Sequence, residues 1–221
     1  MGLFSNRVER SDIAEGDHIY SWRTLFVYAH HGIYIGNGLV IHFTAPPGKA
    51  TASSPPSVAS SSPAPGRGQQ RTCPNHPHCV SQKPWSGVAI TCLDCFIEKG
   101  SLYRYEYGVT SLPEQIVHVL GGNGTCTTEQ SDPASTVLHR ANYLLENGFG
   151  NYNLVRNNCE DFALYCKTGI LVIVDLVGNS GQIASALRAL YPIPASIFYA
   201  VRNHGIKVPV EDMDKFHRGS F

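Results

Sequence analysis

Charge is scarce in this chain of 221 residues: Asp, Glu, Lys and Arg together make up 15%, against about 25% in an average globular protein. The charges also cancel, with 17 acidic and 17 basic residues and a pI near 7.1. No basic field exists to hold a phosphate backbone, which excludes nucleic acid as a partner. Long apolar runs are lacking too. Ile170 to Val177 is short and contains Asp175, and Ile183 to Val201 carries Arg188, Pro192 and Pro194. Neither suits a bilayer crossing, which takes about 20 apolar residues. The second run reads as cover for the core, with peripheral membrane contact as the other option. The opening MGLFSNRVERSD has no apolar stretch of secretory-signal length. Its Met1-Gly2 start has Asn6 where N-myristoylation favours Ser or Thr. An even set of cysteines is also missing, since there are seven. Together these absences predict a cytoplasmic, reducing setting, with thiols free or metal-bound and no disulfide framework.

What is present suffices for one core. Hydrophobic residues make up 43% of a 24.1 kDa chain, enough for one domain and too little for two. Residues 17–44 read as strands, with β-branched and aromatic residues on both sides of Gly36-Asn37-Gly38, a hairpin signal. Residues 45–70 are rich in Ala, Pro, Ser and Gly and offer little to bury, so they form a flexible insertion. Four of the seven cysteines follow in residues 71–100, and Leu102 to Val109 alternates like a strand. Asp132-Pro133 opens a helix as N-cap and first helical residue. Val137, Leu138, Ala141, Leu144 and Leu145 recur at helical spacing until Gly148. A second helix starts near Asn157-Asn158 and stops at Gly169; the chain beyond reads as helical to about Arg202, with a polar, frayed tail from Val208. Strands early and helices late give an α+β fold, an antiparallel sheet packed against helices. The expected division is an N-terminal segment 1–15, a domain 16–169 holding the insertion, and an extension 170–221.

The stretch NNCEDFALYCKTG carries the most chemistry. An asparagine cap puts Cys159 in the first turn of a helix, where unpaired N–H groups and the helix dipole favour a thiolate. Phe162, Ala163 and Cys166 follow on the same face, so Cys159 stands rigidly at the edge of the core and Cys166 is inert packing. Glu160 and Asp161 suit the dipole of the first turn. A nucleophilic thiol needs an imidazole within hydrogen-bond reach and a further polar group to orient that imidazole. His30, His31 and His42 of the hairpin are the candidates. A three-residue loop at Gly36-Asn37-Gly38 puts His30 and His42 on one face, whereas a two-residue turn pairs His31 with His42.

HHGIYIGNGLVIHF, followed far later by NNCEDFA, resembles the lecithin:retinol acyltransferase-like family, a circularly permuted branch of the papain-like cysteine enzymes. The likeness runs from about Gly16 to Gly169. It includes a strand histidine, an I-Y-x-G segment, a second histidine twelve positions on, and Asn-Cys-Glu opening a helix. GDHIY, CLDCF, YLLENGFGNYN and NCEDFALYCKTG are similar to a plant branch of this family associated with lead sensitivity. The resemblance implies that Cys159 is the nucleophile, His30 the general base and His42 the residue that orients it, with His31 outside catalysis. It implies acyl transfer or hydrolysis on an acyl ester or other small molecule, through a thioester, with no cofactor for catalysis. An inactive interaction module, or a peptidase or amidase using the same residues, are the alternatives.

The remaining cysteines form a second pattern. Cys92-x2-Cys95 has the spacing of a zinc half-site. Cys73 with His76 has the matching two-residue gap, and Cys79 is the alternative to His76. A structural zinc held by Cys73, His76, Cys92 and Cys95 would tie down a segment too polar to fold unaided.

Overall fold

The residues Gly36, Asn37 and Gly38 all adopt positive φ, at 86°, 51° and 71°, a region open to glycine and tolerated by asparagine. Ile35 N donates to Leu39 O and Leu39 N to Gly36 O, which closes a three-residue loop. The loop joins β2 (Tyr28–Tyr34) to β3 (Leu39–Phe43). β1 (His18–Arg23) pairs with the other edge of β2, β4 (Val88–Cys92) pairs with β3, and β5 (Tyr103–Arg104) pairs with β1. The result is a five-stranded antiparallel sheet of order β4-β3-β2-β1-β5. This computed structural model describes residues 6–23, 28–45, 73, 87–109, 126–153, 157–172 and 205–218.

The alternation of the strands divides the core into two. On one face Ile33, Ile41, Phe43 and Val88 pack against Val137, Ala141 and Leu144 of α2 (Ala134–Asn147) and Phe162, Ala163 and Cys166 of α3 (Cys159–Thr168). On the other, Ile19 and Val40 pack against Leu93, Phe96 and Ile97 of α1 (Leu93–Ile97). Gly32 makes the second contact feasible: a Cβ there would meet Val40 Cγ1 at 2.7 Å and Phe96 Cε2 at 3.0 Å. The fold is therefore α+β, as the sequence predicts. β4 and α1 lie in the cysteine-bearing stretch, where cysteine and polar residues obscure the alternation of VAITC.

Three expectations change. Asp132 does not cap α2: the N-cap is Pro133, with no side-chain cap hydrogen bond. Asp132 instead accepts from Arg140 Nη2 of α2 at 2.7 Å and Lys207 Nζ at 3.1 Å, so its carboxylate ties the start of this helix to the distant segment that carries Lys207. Of Leu102 to Val109, only Tyr103–Arg104 joins the sheet. The tail is not frayed from Val208. β6 (Ile170–Val172) pairs with β7 (Gly205–Lys207), and Val208, Val210 and Met213 are buried in the main core ahead of and within α4 (Met213–Arg218). Three apolar side chains on one short segment outweigh its polar composition. The insertion beyond residue 45 and the segment 173–204, read as helical to Arg202, lie outside the described residues. No helix among the described residues is long and apolar enough to cross a membrane.

Candidate active site

The first turn of α3 is fixed from both sides. Asn158 stays extended, and its Oδ1 accepts the N–H groups of Glu160 at 2.8 Å and Asp161 at 3.4 Å. Asp161 Oδ2 accepts Asn158 N–H in return at 2.9 Å, completing a capping box. Asp161 thus does more than suit the dipole, and both it and Glu160 are buried. Gly169, in the left-handed region at φ 69°, ends the helix with its N–H on Tyr165 O. Cys159 is the first residue inside this frame and is 0% exposed. Cys166, two turns on, is equally buried, and burial pushes its thiol pKa far above the ordinary range.

The thiol reaches a seam in the sheet. Tyr34 N donates toward β1, to Asp17 O, while Ile35 N donates to Leu39 O on the β3 side. Main-chain groups alternate along a strand, so the odd-numbered residues of β2 address β3. The β2–β3 ladder ends at the pair Gly32–His42. The carbonyl of Ala29 therefore points past the end of the ladder, and the Cys159 thiol donates to it at 3.7 Å. Ala29 is 2% exposed, and its small side chain lies on the face that α3 covers, which admits the helix start.

The same register settles which histidines share a face. With Gly32 opposite His42, His30 is the diagonal neighbour of His42, and His30 Nε2 lies 2.9 Å from His42 Nδ1. His42 Nε2 lies 3.2 Å from Thr91 Oγ1 on β4. Phe96 backs the pair, with ring centroids 5.2 Å from His30 and 5.8 Å from His42. Arg23 donates to the carbonyls of Phe96 and Ile97 and so holds α1 against this face. His31 turns the other way. Its Nδ1 lies 2.8 Å from His18 Nε2, and His18 Nδ1 lies 2.8 Å from Tyr107 Oη. Tyr20 stacks on His31 and Tyr105 on His18, at 5.2 and 4.5 Å between centroids. Adjacent imidazoles thus engage opposite strands: His30 leans to β3 and His31 to β1.

All four imidazoles are held neutral at neutral pH. Burial lowers His30 and His18 well below the ordinary histidine range. For His30 the charges of His42, Arg23 and His31 add to this, and for His18 those of His31 and Lys167. Burial takes His31 to about 3, and burial followed by Arg23 takes His42 to about 4. A neutral imidazole has one nitrogen able to accept a proton, which a base requires.

Of the residues that the sequence singles out, His30 and His42 are joined by a hydrogen bond. Cys159 lies against the carbonyl of the residue that precedes His30. Cys73, Cys92 and Cys95 come together with all three sulfurs within 4.8 Å of one another; His76 and Cys79 lie outside the described residues. Sequence reasoning missed His18 and Tyr107. The signal was the alternation of DHIYSW, which puts His18 on the face of Tyr20.

A family model described as lecithin retinol acyltransferase matches residues 11–172. Protein LEAD-SENSITIVE 1 of Arabidopsis thaliana is 46% identical over 206 residues, covering 91% of this chain and 75% of that protein.

Proposed function

The chain belongs to the lecithin retinol acyltransferase family, and on that premise we propose that it transfers or hydrolyses acyl groups through a thioester on Cys159. Acyltransferase or hydrolase activity is the general character of the family. The observation that carries the finer reading is the His30–His42 hydrogen bond of 2.9 Å beside the seam where the Cys159 thiol meets Ala29.

The tautomers follow from the contacts. For His30 to accept a proton at Nδ1, its Nε2 carries hydrogen and donates to His42 Nδ1. His42 then carries hydrogen on Nε2 and donates to Thr91 Oγ1. In the proposed reaction the thiol proton passes to His30 Nδ1 while sulfur attacks the ester carbonyl carbon. The resulting imidazolium keeps its Nε2–H on His42, which orients and stabilises it. The carbonyl oxygen becomes an oxyanion. The Cys159 N–H, at the positive end of the helix, is the oxyanion donor. Collapse breaks the ester C–O bond, and His30 returns its proton to the departing alcohol. An alcohol, amine or water then gives its proton to His30 and attacks the thioester carbonyl; collapse breaks the C–S bond, and His30 returns the proton to the departing Cys159 sulfur. His31 takes no part, because it leans to β1, away from the seam.

A second reading, a family member that binds without turnover, draws on one observation: Cys159 is 0% exposed. Intact-mass spectrometry of the full chain after incubation with lipid and short-chain activated esters separates the two. The enzyme reading expects an acyl adduct on Cys159 that is absent in Cys159→Ala and forms about 100-fold or more slowly in His30→Ala. Absence of any adduct across these esters decides for the binding module.

A further inference from the structure

We infer that Cys73, Cys92 and Cys95 form a zinc site that clamps Cys73 onto the corner between β4 and α1. Cys92 ends β4 and caps α1, and Cys95 lies within α1. Cys73 precedes β4 in the chain and meets them at this corner. Its sulfur lies 3.6 Å from that of Cys92 and 3.7 Å from that of Cys95, and all three lie within 4.8 Å of one another. A disulfide would bring two sulfurs to about 2.05 Å, and three sulfurs cannot all be satisfied by pairing. A tetrahedral zinc with Zn–S bonds of about 2.3 Å sets its sulfurs about 3.8 Å apart along each edge. The two separations from the Cys73 sulfur match that edge, so two sides of the triangle have the length found on a face of a thiolate tetrahedron.

The surroundings suit a metal thiolate. Cys95 N–H donates to Cys92 Sγ at 3.4 Å, the kind of main-chain bond that orients a ligating sulfur and stabilises its negative charge. Cys92 is buried and Cys95 exposed, so the site opens to solvent on one side for metal entry. The three sulfurs leave one position of the tetrahedron for a further donor. Zinc, thiophilic and content with four ligands, is the ion this donor set selects. Its role is structural. The other side of the same corner carries Phe96, which packs on His30 and His42, so the clamp fixes the wall behind the histidine pair.

The test uses the full chain purified without chelator and is read by elemental analysis. The expected content is about one zinc per chain. It should be lost in the Cys92→Ser, Cys95→Ser double variant and in the milder Cys95→Ser, where an exposed residue changes and the core is untouched. Cobalt(II) replacing zinc should give the intense visible bands of a tetrahedral site and a sulfur-to-metal charge-transfer band, both absent in Cys95→Ser. Chelation should lower the melting temperature of the parent chain and leave that of Cys95→Ser unchanged. Zinc content unaltered in the double variant, no metal in the parent, or a Cys73 disulfide found by mass spectrometry in unreduced protein would each overturn the proposal.

Discussion

His30 and His31 are chemically the same side chain one peptide apart, and the fold gives them different work through what each ring touches. His30 joins His42 and Phe96, whereas His31 joins His18 and two tyrosines. All four imidazoles have folded pKa values below their unfolded value of about 6.5. Below that pH the unfolded chain binds protons that the folded chain refuses, so stability is full above about 6.5 and falls as pH drops toward about 4 for His42 and about 3 for His31. The limiting slope is about 1.4 kcal/mol per pH unit for each histidine. Urea midpoints should therefore fall steeply between pH 6.5 and 5, a range in which carboxylates contribute little, and His31→Gln should flatten the curve. A midpoint independent of pH across that interval would contradict the burial assigned to these rings.

At the scale of elements, α3 is the part on which a site would depend most, because its capping box sets where Cys159 begins. Asn158→Ala removes the acceptor for two N–H groups and should cost about 1 kcal/mol of stability. Thioester formation should suffer well beyond that loss, since the sulfur would no longer be held at the seam. Chemical denaturation and acylation rates measured side by side check this; a rate that falls only in proportion to the folded fraction would deny the cap its positioning role. α3 was legible in the sequence because Asn158 and Gly169 are strong local signals at its two ends. The hairpin was legible because Gly36-Asn37-Gly38 needs positive φ, though spacing alone left its loop length, and so the choice of histidine, open. β4 and α1 were hidden in a stretch whose cysteines invite a metal reading and mask the alternation. Asp132 misled because Asp-Pro is a genuine capping signal, here overruled by the tertiary pull of Arg140 and Lys207 on the carboxylate. His18 escaped notice because its partner lies on another strand.

For the whole molecule, the last described segment is part of the core. Val208, Val210 and Met213 are each 2% exposed and close the cluster that α2, α3 and the sheet share. Burying three such side chains contributes on the order of 5 kcal/mol, comparable to the full stability of many domains. A chain ending at residue 204 should therefore be insoluble or melt far below the parent, as followed by circular dichroism; an unchanged melting temperature would show that the core closes without this segment. The sheet also carries its own check on assembly. A slip of β2 by one residue would exchange the two faces, driving His30 beneath α3 and His31 against Phe96. Such a slip carries one imidazole into its neighbour's place, but the other is then left without its histidine partner, polar in an apolar setting, at a cost of about 1–3 kcal/mol. A misaligned chain therefore keeps at most one of the two histidine pairs, so the native alignment is the one that satisfies both rings at once, independently of any reaction they serve.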